Sequence, residues 1–217
     1  LSGALSTGVF LKDRLPETKQ EKLGLLKIIP VVRKSIALKA AYWCCLITRA
    51  DIIVLSAFVI TWGVKYGKEL EMTAREATLK ASLPMMVMSV SALIAFPILG
   101  VMLDKWGRVP TIILALVSGA VAMFLLAVSP NPFSPLVYIA MIFASVGMAG
   151  AMAGANTLAS DASPEGMVGS ILGGLNTMQA IGILFFVGIG GYLFDRFGPG
   201  WAFALKGTAS LILCGWF

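Results

Sequence analysis

The sequence predicts an all-α membrane protein with six transmembrane helices, and three observations carry that expectation. Of the 217 residues, 58% are hydrophobic and 13% charged, and the mean hydropathy is +0.89, far from the averages of soluble domains. Between charged clusters the apolar runs extend over roughly 17 to 28 residues, where about 20 let a helix cross the hydrocarbon core. The runs are continuous and lack period-2 alternation. Since only helices or closed barrels satisfy the backbone in lipid, they read as helices.

The chain opens on "LSGALSTGVF" without a methionine and closes inside the apolar "LILCGWF". We therefore expect a fragment: the opening residues would be the tail of an earlier span, and Phe217 would fall short of the end of the last. The opening is too short and too uncharged to be a signal peptide. A basic linker follows up to residue 39, in which "LGLLKIIPVVRKSI" (23–36) alternates apolar and basic residues as an interfacial helix does, with Pro30 as a bend or a first-turn residue. The bundle occupies 40–217, with spans at about 40–64, 81–103, 110–130, 135–160, 167–194 and 201–217. Pro84 and Pro97 would loosen the second span. The fourth and fifth, "ASVGMAGAMAGANTLAS" and "GMVGSILGGLNTMQAIG", place Gly150/Gly154 and Gly169/Gly173 at four-residue spacing, which predicts close helix packing. Trp62, Tyr66 and Trp201 near span ends read as interfacial anchors.

Charge sets the orientation. Residues 1–39 carry Lys12, Arg14, Lys19, Lys22, Lys27, Arg33, Lys34 and Lys39, and the loop at 104–109 adds Lys105 and Arg108. The opposite side has Lys65, Lys68, Arg75, Lys80 and Arg196, with Glu69, Glu71 and Glu76 among them. The basic side is expected to be cytoplasmic. The net charge of +6 then reflects topology and contact with anionic lipid rather than nucleic-acid binding.

The chain has no histidine, and its three cysteines, Cys44, Cys45 and Cys214, show neither ligand spacing nor a disulfide framework. No Ser/His/Asp set, CxxC pair, HExxH or phosphate loop is present. We expect no enzyme, no metal and no cofactor.

Where the second span ends, "GVMLDKWGR" breaks an apolar run into charge and glycine. Gly100 permits close approach, Asp104 sits at the water boundary, and Lys105 and Arg108 anchor the cytoplasmic end. A carboxylate there can accept hydrogen bonds from the N-terminal N–H groups of a neighbouring helix, which makes it a candidate latch. Gly107 is free to turn the chain and Pro110 suits a first helical turn. A similar pattern recurs in "GYLFDRFGP" at Gly191, Asp195, Arg196 and Gly198, 91 residues on.

The match at Gly100, Asp104, Lys105, Gly107 and Arg108 resembles the loop signature of the major facilitator superfamily. It departs at Met102, where leucine is usual, and at Val109, where a further base is common. The order of basic linker, six spans, signature after the second and "GGYLFDRFG" after the fifth resembles that family's C-terminal half. The resemblance implies spans seven to twelve of a twelve-span transporter, built of two inverted three-helix repeats. It also implies a six-span half of the same chain before Leu1. In the fourth-to-fifth loop, "SDASPEG", similar proteins often carry an arginine that this chain lacks.

Ionisable groups inside spans are the default functional candidates, and the first span offers Arg49 and Asp51. Two residues apart, they point about 200° from each other on a helix, so each needs a separate partner. Asp51 is assigned protonation coupled to transport, and Arg49 either holds the carboxylate's environment or contacts an anionic substrate. The alternatives are a structural ion pair with the missing half, or a helix beginning nearer Arg49. Asn156, Asn176 and Gln179 are candidates for lining a cavity, with helix–helix bonding as the other reading.

The sequence thus predicts a multi-pass protein of a plasma or inner membrane, in a lipid bilayer, that moves a small molecule by alternating access with a proton as coupling ion. Efflux of hydrophobic or cationic compounds is favoured through Asp51. An organic anion or sugar, or a non-transporting sensor or assembly protein, is the alternative.

Overall fold

The structure, a computed structural model, describes residues 28–217. The expected tail of an earlier span and the 23–27 part of the interfacial segment lie outside the described residues. Seven helices follow in order: α1 Ile29–Lys34, α2 Ile36–Glu69, α3 Ala74–Lys105, α4 Arg108–Ala127, α5 Pro135–Asp161, α6 Val168–Phe197 and α7 Pro199–Cys214. No strand occurs among the described residues.

Local sequence explains where five of these helices begin. Pro30 occupies the first turn of α1, where its missing N–H costs nothing. Ser35 adopts an extended conformation between α1 and α2, and its Oγ accepts from the Leu38 N–H at 3.3 Å, capping α2. Thr73 and Glu76 form a reciprocal capping box at the start of α3. Pro135 and Pro199 open α5 and α7 in their first turns. Pro84 and Pro97 lie inside α3, which continues through both.

Among the described residues five helices, α2 to α6, are long and apolar enough to cross a membrane. The sixth expected span, 201–217, is α7, whose 16 residues extend about 24 Å at 1.5 Å per residue. Leu93, Leu184 and Ile212 are each more than two-thirds exposed on the outer surface. Such a surface suits a hydrocarbon solvent.

Helix α2 is central, packing on α3, α5, α6 and α7. The α4–α5 pairing is the most extensive, and small residues make it possible. A Cβ on Gly147 would meet the Gly119 Cα and N at 2.6 Å, and one on Gly150 the Ala115 side chain at 2.8 Å. One on Gly154 would meet Ile112 at 2.5 Å. Ser118 adds a hydrogen bond from its Oγ to the Phe143 carbonyl at 2.8 Å. The same expectation fails for Gly169 and Gly173. Nothing lies within 4 Å of a Cβ at either, because that face of α6 is turned away from the other described helices.

The pairings also fix direction. Gly63 faces Ala81 and Gly67 faces Ala77, so α2 and α3 are antiparallel; Tyr42 faces Gly174 and Phe58 faces Gly190, so α2 and α6 run parallel. Consequently the C-terminal ends of α3 and α6 lie at opposite ends of the bundle.

Candidate functional site

Arg49 and Asp51 lie in the middle of α2, and the helix sends them to different neighbours, as their angular separation requires. Asp51 faces α7. Its Oδ1 lies 2.5 Å from Lys206 Nζ, with side chains 8% and 1% exposed. The Lys206 ammonium donates to the Ile47 carbonyl and lies 4.6 Å from the centroid of the Phe186 ring. The two groups make a direct buried ion contact, and the ammonium also donates to the backbone. Breaking such a pair is costly, because the remaining charge is left buried and uncompensated.

Lys206 is the functional candidate that sequence reasoning missed. It stands inside the apolar run "WAFALKGTASLILC", and the rule that singles out Arg49 and Asp51 applies to it equally. The alternative weighed for Asp51, an ion pair with a group outside this bundle, gives way to a partner within it.

Arg49 faces the other way. Its Nη1 lies 3.2 Å from Met152 Sδ on α5, and no carboxylate comes within ion-pair distance of it among the described residues. Cys45 lies one turn earlier on the same side of α2, and Gln179 of α6 points its Nε2 at the Cys45 Sγ, 3.7 Å away. Two glycines allow α6 to come this close: a Cβ on Gly174 would strike the Tyr42 hydroxyl, and one on Gly182 would strike the Leu46 carbonyl. The Tyr42 hydroxyl also donates to the Ile171 carbonyl at 2.9 Å. Gln179 is thereby fixed between the two approaches.

α5 and α6 pack on α2 far more than on each other. Arg49, Met152 and Gln179 therefore border a cleft between α5 and α6, floored by α2. Asn156, half-buried, lies one turn beyond Met152 on α5. Asn176 is exposed and is not brought to this cleft; it shares the open α6 face with Gly169 and Gly173.

The loop signature forms a charged cluster at one end of the bundle. Arg108 donates from Nη1 to the Leu103 carbonyl at 2.7 Å and to Asp104 Oδ1 at 3.0 Å, and from Nε to Asp161 Oδ2 at 3.0 Å. One guanidinium thus joins the ends of α3, α4 and α5. The fourth-to-fifth loop carries no arginine, and its neighbour Asp161 meets Arg108, a contact that spacing alone does not reveal. Lys105 makes no ion pair among the described residues. Gly100 has nothing within 4 Å of a Cβ position, so it mediates no close approach there.

The second motif copy lies at the opposite end. Asp195 accepts from Lys65 Nζ at 3.0 Å, and Arg196 lies 5.9 Å and 6.0 Å from the Tyr192 and Phe197 ring centroids. Gly191 is free of neighbours within 4 Å of a Cβ. Gly107 (φ 97°, ψ 168°) and Gly198 (φ 101°, ψ 169°) share one backbone conformation, each as the residue before a helix. That region is open to glycine almost alone.

Comparison with known proteins adds independent findings. The family model described as Major Facilitator Superfamily matches residues 16–217. The chain is 28% identical over 213 residues to the magnetosome protein MamH of Paramagnetospirillum magneticum, covering 98% of this chain and 49% of that protein. It is 28% identical over 217 residues to the magnetosome protein MamZ of Magnetospirillum gryphiswaldense, of which it covers 33%. The multi-drug resistance efflux pump PmrA of Streptococcus pneumoniae is 29% identical over 152 residues, covering 70% of this chain and 37% of the pump. The chain therefore spans half the length, or less, of these relatives.

Proposed function

This chain belongs to the major facilitator superfamily, and on that premise we propose that it is the C-terminal half of a secondary transporter. It would move a small molecule by alternating access, coupled to a proton, as a carrier rather than an enzyme. Residues 1–39 would then be the central cytoplasmic linker with the end of a preceding span, and α2 to α7 the six spans of the half. In this reading α2–α4 and α5–α7 are inverted repeats. The shared backbone of Gly107 and Gly198, at opposite ends of the bundle, supports that symmetry.

The buried ion pair between Asp51 and Lys206 carries the proton-coupling reading. An intramembrane carboxylate held against one ammonium is a two-state element. When Asp51 is ionised the charges cancel, and when it takes a proton Lys206 becomes an uncompensated buried cation. The α2–α7 contact is then destabilised, and the bundle relaxes by giving the ammonium water or another partner. The Arg108 cluster would hold the cytoplasmic end during one phase of the cycle.

The test places the full-length protein in proteoliposomes and follows internal pH as candidate substrates are added under an imposed gradient. Substrate-dependent proton flux lost in Asp51→Asn is the expected result. Unchanged flux in that variant would make the pair structural, and no flux with any substrate would remove proton coupling. The favoured location is a plasma or inner membrane. The names of MamH and MamZ add the magnetosome as a second location, which fractionation decides.

A further inference from the structure

Resting on the transport reading above, we infer that the cleft floored by α2 is half of a binding site for an oxyanion, a carboxylate or phosphate group, with Arg49 as its charged anchor. The argument begins with a charge count in the middle of the bundle. Arg49, Asp51 and Lys206 are the charged side chains there, and Asp51 and Lys206 cancel each other at the back of α2, away from the cleft. The preference for cationic cargo rested on a free Asp51 charge, and Lys206 removes it. What faces the cleft is a cation.

That cation is under-used. A guanidinium has five N–H donors, and the acceptor that Arg49 has among the described residues is the Met152 thioether, a weak one. Arginine stays protonated in proteins, so it cannot escape the cost of its position by losing its proton. Half-buried at the middle of a spanning helix, it requires an acceptor of opposite charge. The neighbours are suited to an anion. Gln179 presents amide donors from α6, its present acceptor being only the Cys45 sulfur, and the Asn156 amide lies one turn from Met152. Arg49 and Gln179 are both held by sulfur contacts that an oxyanion would outcompete, because charge-assisted N–H···O bonds are far stronger. The planar fork of the guanidinium matches the two oxygens of a carboxylate or phosphate.

The test separates binding from transport. Equilibrium binding of radiolabelled citrate and of inorganic phosphate is measured on the full-length protein in detergent, with ethidium as the cationic comparison, and flux of the same probes is followed in proteoliposomes. Saturable binding of at least one anion is expected, competed by the other. Affinity should fall about tenfold or more in Arg49→Gln and less in Arg49→Lys, which keeps the charge but loses the fork. Gln179→Leu should weaken binding without abolishing it. Anion binding unchanged in Arg49→Gln overturns the assignment, as does wild-type protein that binds ethidium and neither anion, whatever the fluxes. Anion binding lost in Arg49→Gln, with no flux of any probe in wild type, keeps the site and removes the transport reading.

Discussion

The Asp51–Lys206 pair can be examined with a double-mutant cycle on the full-length protein in detergent. Lys206 is 1% exposed and the Asp51 side chain 8%, so in this packing each charge is left without water when its partner is removed. Truncating one partner of a buried pair costs about 3–5 kcal/mol, most of it from the charge left behind. Asp51→Asn therefore strands the ammonium with only the Ile47 carbonyl and the Phe186 ring face. Lys206→Met strands the carboxylate, whose Oδ1 has no other partner among the described residues. At about 2–4 °C per kcal/mol for a large domain, each single variant should melt roughly 10 °C below wild type. The double variant removes both charges, and it should recover most of that loss, because replacing a buried pair by neutral groups is often nearly neutral. The coupling energy, about 3 kcal/mol or more, is read from the melts of the four proteins, and refolding controls establish that the comparison is reversible. Additive losses, or single variants that melt within about 1 °C of wild type, would refute the reasoning, since the two charges would then be separately solvated.

Further predictions follow from the packing and the loops. Gly147→Ala should destabilise the protein by about 1–3 kcal/mol in a thermal melt, because the new Cβ meets the Gly119 backbone, which has no flexible end to move. Gly173→Ala in parallel should leave the melt unchanged or raise it slightly, since nothing lies within 4 Å there and alanine favours the helix. Gly107→Ala and Gly198→Ala should each cost about 1–3 kcal/mol by the same melt, a backbone penalty that no side-chain repacking relieves. Arg108→Gln removes contacts that are largely exposed, so its effect on stability should stay within about 1 kcal/mol. The transport rate in proteoliposomes should fall instead, because the ends of α3, α4 and α5 are no longer joined.

The helices were legible because a chain in lipid has few options. Runs of apolar residues long enough to span must be helical, and their ends fall where Ser35, Thr73, Pro135 and Pro199 cap or begin them. The family was legible too, from the short constellation between Gly100 and Arg108. The helix expected at 201–217 is α7, whose 16 residues leave it outside the five helices long and apolar enough to cross a membrane.

The sequence by itself determined the all-α class, the order of the helices, and the divergence of Arg49 and Asp51, because periodicity and hydropathy are local properties of the chain. Only the tertiary structure decided which charge is neutralised. Asp51 and Lys206 are 155 positions apart, and their meeting depends on α7 packing against α2, which no local pattern encodes. The glycines teach the same lesson. Gly150 and Gly173 look alike in sequence, yet one is enclosed by Ala115 and Leu99 and the other faces open space, because enclosure belongs to the neighbouring helix rather than to the residue.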